Sequence, residues 1–383
     1  MQFEFATATR IVFGDGMVGQ LGTITASIGK RILFASNLPE TITAPLLTDL
    51  NSSGVEVSPF LFTGEPTDTL VTGGVELSCK NGCDLVVGVG GGSAIDVGKA
   101  VAALTTNRGD IYEYLEVIGK GQPISNQPLP MIAIPTTAGT GAEVTRNAVI
   151  GIPEHRVKVS LRSPLILPRL AIVDPQLLYG LPPEITASTG LDALTQLIEP
   201  FISVKANPLT DAICREGMRY IARSLSKAYE TDDPVSRQEM SLASLFGGLA
   251  LANAGLGVVH GFASVLGGMY LIPHGVICAR LLPNVMGANL HAIEARMPEN
   301  PARGRYQEVA QILTGDLDAD AADGFAWVQR LCTQLSVPSL SNYDIPSYEI
   351  PEIIDKTMKA SSTKANPVQL TPEELRNILE SSL

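Results

Sequence analysis

At 383 residues, 45% hydrophobic and only 17% charged, the chain has apolar side chains enough for more than one core and a composition unlike that of a disordered segment. Its 27 Lys and Arg against 39 Asp and Glu give a formal charge of −12 with no basic run, which argues against nucleic acid as a partner, because nothing would neutralise a phosphate backbone. Five scattered cysteines, Cys79, Cys83, Cys214, Cys278 and Cys332, form no paired framework and suit the reducing cytoplasm.

The opening MQFEFATATRIVFGDG alternates polar and apolar residues and lacks a basic segment followed by an apolar core, so no export signal is expected. Residues 31–36, RILFAS, read as a buried strand, with Pro39 and Glu40 placed to start a helix. Residues 55–61 form the next expected strand and 70–81 a helix that stops at Asn81-Gly82. Strand and helix in alternation predict a parallel sheet.

The following unit, DLVVGVGGGSAIDVGKAVAALTT, combines a strand over 84–89, a tight turn at Gly90-Gly91-Gly92-Ser93 and a helix over 94–104. Such a turn presents unobstructed backbone N–H groups to a phosphate or pyrophosphate. It departs from the G-x-G-x-x-G dinucleotide fingerprint at Ser93, and from a Walker loop at Ala100, where Ser or Thr is required. A glycine turn serving packing alone would use the same residues. Residues 130–149, PMIAIPTTAGTGAEVTRNAV, repeat the theme with a strand, a Thr/Gly turn and a short helix. Hydroxyls at Thr136, Thr137, Thr140 and Thr145 suit phosphate or ribose oxygens, and ordinary turn chemistry explains them equally. Lys158 follows in the polar strand RVKVS, and a last strand covers 170–174.

Beyond Leu181-Pro182-Pro183 the texture changes to helical runs over 184–203, 207–229, 234–253, 256–270 and 306–334, with Pro183 and Pro208 at helix starts. A domain boundary is expected near residue 180, dividing 1–180 from 181–383. From 241 to 273 there is no Asp, Glu, Lys or Arg, a longer run than the ~20 residues that cross a bilayer. The glycines, Asn253 and His260 inside it favour a buried helix pair over a membrane span. The tail ends in TPEELRNILESSL, a capped helix.

In the helical half, Asp192 and Gln196 lie four residues apart, one helical turn plus about 40°, and therefore share a face from which both could reach one ion. His260 and His274 fall in the nearly charge-free stretch, where an imidazole needs a hydrogen-bond partner or a bound ion. His155 and His291 lie in polar or helical surroundings and read as surface or packing residues.

Four segments in order, GVGGGSAIDVGKA (88–100), IPTTAGTGAEVT (134–145), STGLDALTQLIE (188–199) and VHGFASVLGGMYLIPHGVICA (259–279), resemble the iron-containing (group III) alcohol dehydrogenase family of the dehydroquinate synthase-like superfamily. The likeness runs from about residue 10 to about residue 285. It implies an α/β nucleotide-binding domain with a parallel sheet and an all-α C-terminal domain, with a cleft between them for NAD or NADP and a divalent metal, iron or zinc. By position, Gly90, Gly91, Gly92 and Ser93 would hold the pyrophosphate and Asp96 would face the nicotinamide ribose. Thr136, Thr137, Thr140, Thr145 and Lys158 would complete the cofactor contacts. Asp192, Gln196, His260 and His274 fall on the metal-ligand positions, with Asp192, His260 and His274 catalytic through the metal. Relatives imply a homodimer or larger homo-oligomer.

Two positions depart from the family. Gln196 stands where a histidine is usual and Ser264 where a further histidine follows. An amide oxygen binds transition metals more weakly than imidazole, leaving two histidines and a carboxylate, a set similar to that of glycerol dehydrogenases. Ala35-Ser36-Asn37 carries no carboxylate to repel a 2′-phosphate, which admits NADP. The expected reaction is reversible hydride transfer between the nicotinamide and a small alcohol or its aldehyde or ketone. The rival readings are a metal-free maleylacetate reductase-like enzyme, to whose branch the first residues are similar, and a nucleotide-binding protein with a decayed site. A dehydroquinate synthase-like lyase is disfavoured for want of basic residues in the charge-free run.

Overall fold

A computed structural model describes residues 2–383. The chain divides into two compact units: residues 7–137 with 141–178, and residues 179–383 with 138–140 and the N-terminal segment through Ala6.

The first unit is α/β. Its strands are β1 (Arg10–Phe13), β2 (Arg31–Ser36), β3 (Glu56–Leu61), β4 (Leu85–Gly90), β5 (Met131–Pro135), β6 (Asn147–Ile152), β7 (Val157–Arg162) and β8 (Leu170–Val173). Six of them form one parallel sheet in the order β1-β8-β5-β4-β2-β3. Every residue of β4 is buried, and β2 is buried from Ile32 onward, because a parallel sheet is covered on both faces and its strands need near-continuous apolar runs. Alternate residues of β2 divide accordingly: Leu33 and Ala35 join one core, Ile32 and Phe34 the other. Helices α1 (Leu21–Ala26), α2 (Glu40–Ser52), α3 (Asp68–Lys80) and α4 (Gly92–Thr106) supply the crossovers. The chain runs outward from β2 to β3 and then returns to place β4 on the far side of β2, so the strand order reverses between β2 and β4. Open α/β sheets bind ligands at the carboxyl ends of strands at such a point. β6 and β7 form a separate antiparallel pair.

The second unit is helical: α5 (Pro183–Ile202), α6 (Pro208–Thr231), α7 (Pro234–Ala254), α8 (Val258–Met269), α9 (His274–Arg296), α10 (Ala302–Thr314), α11 (Ala321–Gln334), α12 (Ile350–Lys359) and α13 (Pro372–Glu380). The single helix expected over 306–334 is two, α10 and α11. Gly315 closes α10 in the left-handed conformation with φ 74°, and Asp320 opens α11 with a reciprocal capping box to Asp323. The charge-free run over 241–273 folds as α7 and α8, bent by 102° at their junction. Helix α9 is long and apolar enough to cross a membrane, but two thirds of its apolar window, 67%, is buried within the protein.

Candidate functional site

Helix α5 is buried continuously from Gly190 to Ile202. Asp192, Gln196 and Glu199, at i, i+4 and i+7, therefore line one inward face. His260 stands in the first turn of α8, and His274 is the first residue of α9, with Cys278 one turn further on. Gly275 permits the close approach of α9 to α5: a Cβ there would collide with the Ser188 carbonyl oxygen and come 2.6 Å from the carbonyl carbon.

These elements converge on Asp192, which is 2% exposed. Its Oδ1 lies 3.4 Å from His260 Nε2 and 3.5 Å from His274 Nε2. Cys278 Sγ lies 3.9 Å from His260 Nε2 and 3.7 Å from His274 Nε2. One donor atom from each of the four residues falls within 4.8 Å of the other three. Asp192 Oδ1 makes no hydrogen bond although it is buried, and the same is true of Gln196 Oε1. A buried carboxylate oxygen left in that state is costly unless a cation completes it, so the donor set fits a divalent metal.

Two neighbours hold this arrangement. The Nδ1 of His260 is 2.6 Å from Glu199 Oε2, which turns Nε2 toward Asp192 in the manner of a carboxylate–histidine–metal relay. The Gln196 side chain donates through Nε2 to Asp192 Oδ2 at 3.0 Å, and because a carboxylate only accepts, it is the NH₂ of the amide that faces Asp192. Ser264, in the place of the family's further histidine, donates to the Gly261 carbonyl in its own helix.

Charge follows from burial. Desolvation would raise the Asp192 pKa, but His274 and His260 outweigh it and hold the carboxyl below its usual range. Desolvation would likewise lower the His260 pKa, yet Cys278, Glu199 and Asp192 together raise it well above ordinary imidazole. Burial pushes the Cys278 thiol up to about 12, so at neutral pH the carboxylates carry that effect. The site therefore demands positive charge at its centre.

In the α/β unit, Gly90 has φ 148°, and a Cβ there would collide with Asn37 Oδ1 and lie 2.7 Å from Ala94 Cβ. This backbone is open only to glycine. Gly91 is the N-cap of α4 and no side chain caps that helix, which leaves its first N–H groups to a ligand. Gly92 and Ser93 are not part of the turn; they form the first helical residues. The Thr136 N–H donates to the Gly90 carbonyl at 2.9 Å, and the Thr136 hydroxyl is buried without a partner. Thr137 atoms lie 3.5 Å from where a Gly91 Cβ would stand. Gly90 to Gly92, Thr136 and Thr137 are thus brought together.

The remaining expected cofactor contacts are placed differently. Asp96 accepts from the Val149 N–H at 3.0 Å and from Lys99 Nζ at 3.3 Å. Fully buried Lys99 also donates to Thr145 Oγ1 at 2.8 Å and to the Asn147 carbonyl at 2.7 Å. A buried ammonium needs such acceptors, so Asp96 and Thr145 belong to an internal polar cluster. Burial pulls Lys99 down and pushes Asp96 up, each opposed by the other. Lys158 on β7 pairs with Glu65 at 3.3 Å, and Thr140 groups with the helical unit. Sequence reasoning passed over Cys278, Glu199 and Lys99. Their spacings, i+4 from His274, i+7 from Asp192 and i+3 from Asp96, were the available signals.

Comparison with known proteins covers both halves of the chain. The family profile described as iron-containing alcohol dehydrogenase matches residues 8–175, and its Fe-containing C-terminal counterpart matches residues 186–383. A 1,3-propanediol dehydrogenase of Klebsiella pneumoniae is 36% identical across 98% of this chain and 97% of its own. An NAD-dependent methanol dehydrogenase of Bacillus methanolicus is 31% identical across 97% of both. Among solved structures, a 1,3-propanediol oxidoreductase superposes with TM-score 0.91 at 32% identity over the whole of both chains. A sulfoacetaldehyde reductase of Bifidobacterium kashiwanohense in complex with NAD+ gives 0.86 at 29% identity, covering 100% of this chain and 99% of that one.

Proposed function

Because the chain belongs to the iron-containing alcohol dehydrogenase family and is an oxidoreductase of that type, we propose that it interconverts a small primary alcohol and its aldehyde by hydride exchange with NAD or NADP, at a divalent metal held by Asp192, His260 and His274. The observation that carries this reading is Asp192 Oδ1, buried without a hydrogen bond at 3.4 and 3.5 Å from two imidazole nitrogens. A 1,3-propanediol dehydrogenase and a methanol dehydrogenase among the relatives are named for small primary alcohols, which supports that substrate class. NAD is named for one dehydrogenase relative and one solved neighbour; Asn37 at the end of β2 leaves NADP admissible.

When bound, the metal supplies Lewis-acid polarisation of the carbonyl and lowers the pKa of the alcohol. The chain's residues supply the rest. Glu199 holds the His260 ring with Nε2 toward Asp192, and Gln196 holds the Asp192 carboxylate. The N–H groups at the start of α4 and the Thr136 hydroxyl receive cofactor oxygens, with Gly90 and Gly91 keeping side chains out of the way. The hydroxyl of Ser264 is committed to Gly261 and relays no proton in this conformation, so that proton passes by water or by a ribose hydroxyl.

A metal-free reductase or a decayed binding protein would have no use for a buried carboxylate left short of a partner between two histidines. The five free thiols favour the cytoplasm, and a homodimer or larger homo-oligomer is the assembly we propose. The experiment is metal analysis of protein purified without chelator, with NADH and NADPH oxidation against an aldehyde panel before and after EDTA and after Fe²⁺ or Zn²⁺ restoration. Roughly one metal per chain with activity that follows it is expected. Aldehyde reduction at an unchanged rate after complete metal removal overturns the reading.

A further inference from the structure

Cys278 is fully buried, with 0% exposure, one turn after His274 on α9. Around a four-coordinate ion with N and O donors at about 2.0–2.2 Å and sulfur at about 2.3 Å, tetrahedral edges come to roughly 3.4 Å between N and O and roughly 3.6 Å between N and S. The observed edges from Asp192 Oδ1 to the two imidazole nitrogens are 3.4 and 3.5 Å, and those from Cys278 Sγ are 3.9 and 3.7 Å. These four edges match those around one tetrahedral ion to within about 0.3 Å, and all four donors lie within 4.8 Å of one another. Gln196, by contrast, presents its NH₂ to Asp192, an amide NH₂ is not a metal ligand, and its Oε1, buried without a partner, lies 3.4 Å from where a Gly247 Cβ would stand on α7.

We propose that Cys278 is a thiolate ligand of the metal, acting in place of Gln196, so that Asp192, His260, His274 and Cys278 hold the ion and the site favours Zn²⁺ over Fe²⁺. This rests on the reading of the site as a metal site. The second observation that supports it is the buried Asp192 Oδ1, which faces the same point without a hydrogen bond. Ligation exchanges the thiol proton for the ion, with the proton released to solvent and no change of oxidation state. Asp192 and a thiolate together neutralise a divalent cation, which a carboxylate and three neutral donors do not. A thiolate also shifts preference toward softer ions, with Zn²⁺ the divalent ion most at home in a mixed N, O and S set. Gln196 then becomes a positioning residue for Asp192.

The test is an anaerobic titration of metal-free protein with Co²⁺, comparing the wild type with Cys278→Ser. The wild type is expected to show a thiolate-to-cobalt charge-transfer absorption in the near ultraviolet together with d–d bands, saturating at about one equivalent. Cys278→Ser is expected to keep d–d bands and lose the charge-transfer absorption. In a Zn²⁺/Fe²⁺ competition the variant's preference for Zn²⁺ should fall on the order of tenfold. Identical spectra for the two proteins would overturn the proposal and leave the metal site standing. Failure of the wild type to bind Co²⁺ would overturn both, whereas loss of binding in Cys278→Ser alone supports Cys278 as a ligand. Should Cys278→Ser not fold, zinc-edge X-ray absorption of the wild type decides alone: one sulfur at about 2.3 Å is expected, and a shell of nitrogen and oxygen only is the contrary result.

Discussion

Glu199 Oε2 lies 2.6 Å from His260 Nδ1, and Glu199 Oε1 accepts the Val259 N–H at 2.7 Å. One carboxylate thus fixes both the ring and the first turn of the helix that carries it. With Nδ1 committed as donor to Glu199, Nε2 is the ring nitrogen left to face Asp192, and a metal held there would take its lone pair in place of a proton.

Glu199→Gln should weaken metal binding about 10- to 100-fold, the usual effect of losing an outer-shell partner of a ligating histidine. Glutamine can present N–H to Nδ1 and so favour the tautomer with its proton on Nε2, where the metal should be. Chelator-competition titration measures it; an affinity equal to wild type would show that Glu199 does not set the tautomer.

Asp192→Ala and Gln196→Ala separate a ligand from its support. The first removes the oxygen that lies 3.4 and 3.5 Å from the two imidazole Nε2 atoms and should abolish stoichiometric metal binding. The second removes only the amide held 3.0 Å from Asp192 Oδ2, and should cost on the order of tenfold in affinity. Equal loss in both variants, read by metal content after dialysis, would make Gln196 a direct ligand.

Much of the α/β unit was legible because its central strands β2 and β4 are buried on both faces and so appear as short apolar runs, as at residues 32–35. The split of the expected helix over 306–334 was written in Gly315 and the aspartates after it, but the apolar period on both sides concealed the break. Site residues were harder for a physical reason. Asp96 and Thr145 carry suitable groups at suitable spacings, and both also accept from buried Lys99, a contact that appears only once Lys99 is known to be inside. In the same way, a cysteine among apolar neighbours reads as packing until α8 and α9 bring two imidazoles within 3.9 Å of its sulfur.

The two glycines between β4 and α4, Gly90 and Gly91, should respond differently to one added methyl. Gly91 has φ −68°, and an added Cβ meets only Thr137 at 3.5 Å, so Gly91→Ala should fold with little change in stability. Its methyl would lie beside the open N–H groups of α4 and should weaken NAD(P)H binding about tenfold or more. Gly90→Ala, at φ 148° and against Asn37 and Ala94, should cost roughly 1–3 kcal/mol of stability. Thermal denaturation paired with fluorescence titration of NADPH checks both, and unchanged nucleotide affinity in Gly91→Ala would remove the pyrophosphate from this turn.

Glu143 is 2% exposed and its Oε2 has no hydrogen-bond partner. Burial raises its carboxyl pKa from the ordinary 4.5 to about 7, against the opposing pull of its own backbone N–H and of Lys99. In the window between these two values the folded protein keeps a proton that the unfolded chain releases, so stability falls as pH rises. The loss is complete above pH 7 and amounts to about 3 kcal/mol, at 1.36 kcal/mol for each pKa unit. Glu143→Gln cannot ionise and should escape it: variant and wild type should differ little in pH dependence near pH 4.5, while by pH 8 the variant should have gained about 3 kcal/mol relative to wild type. Urea denaturation followed by far-ultraviolet circular dichroism across pH 5 to 8 measures the difference. Parallel profiles for the two proteins would mean that Glu143 is already ionised in the fold, with Lys99 rather than a proton neutralising it.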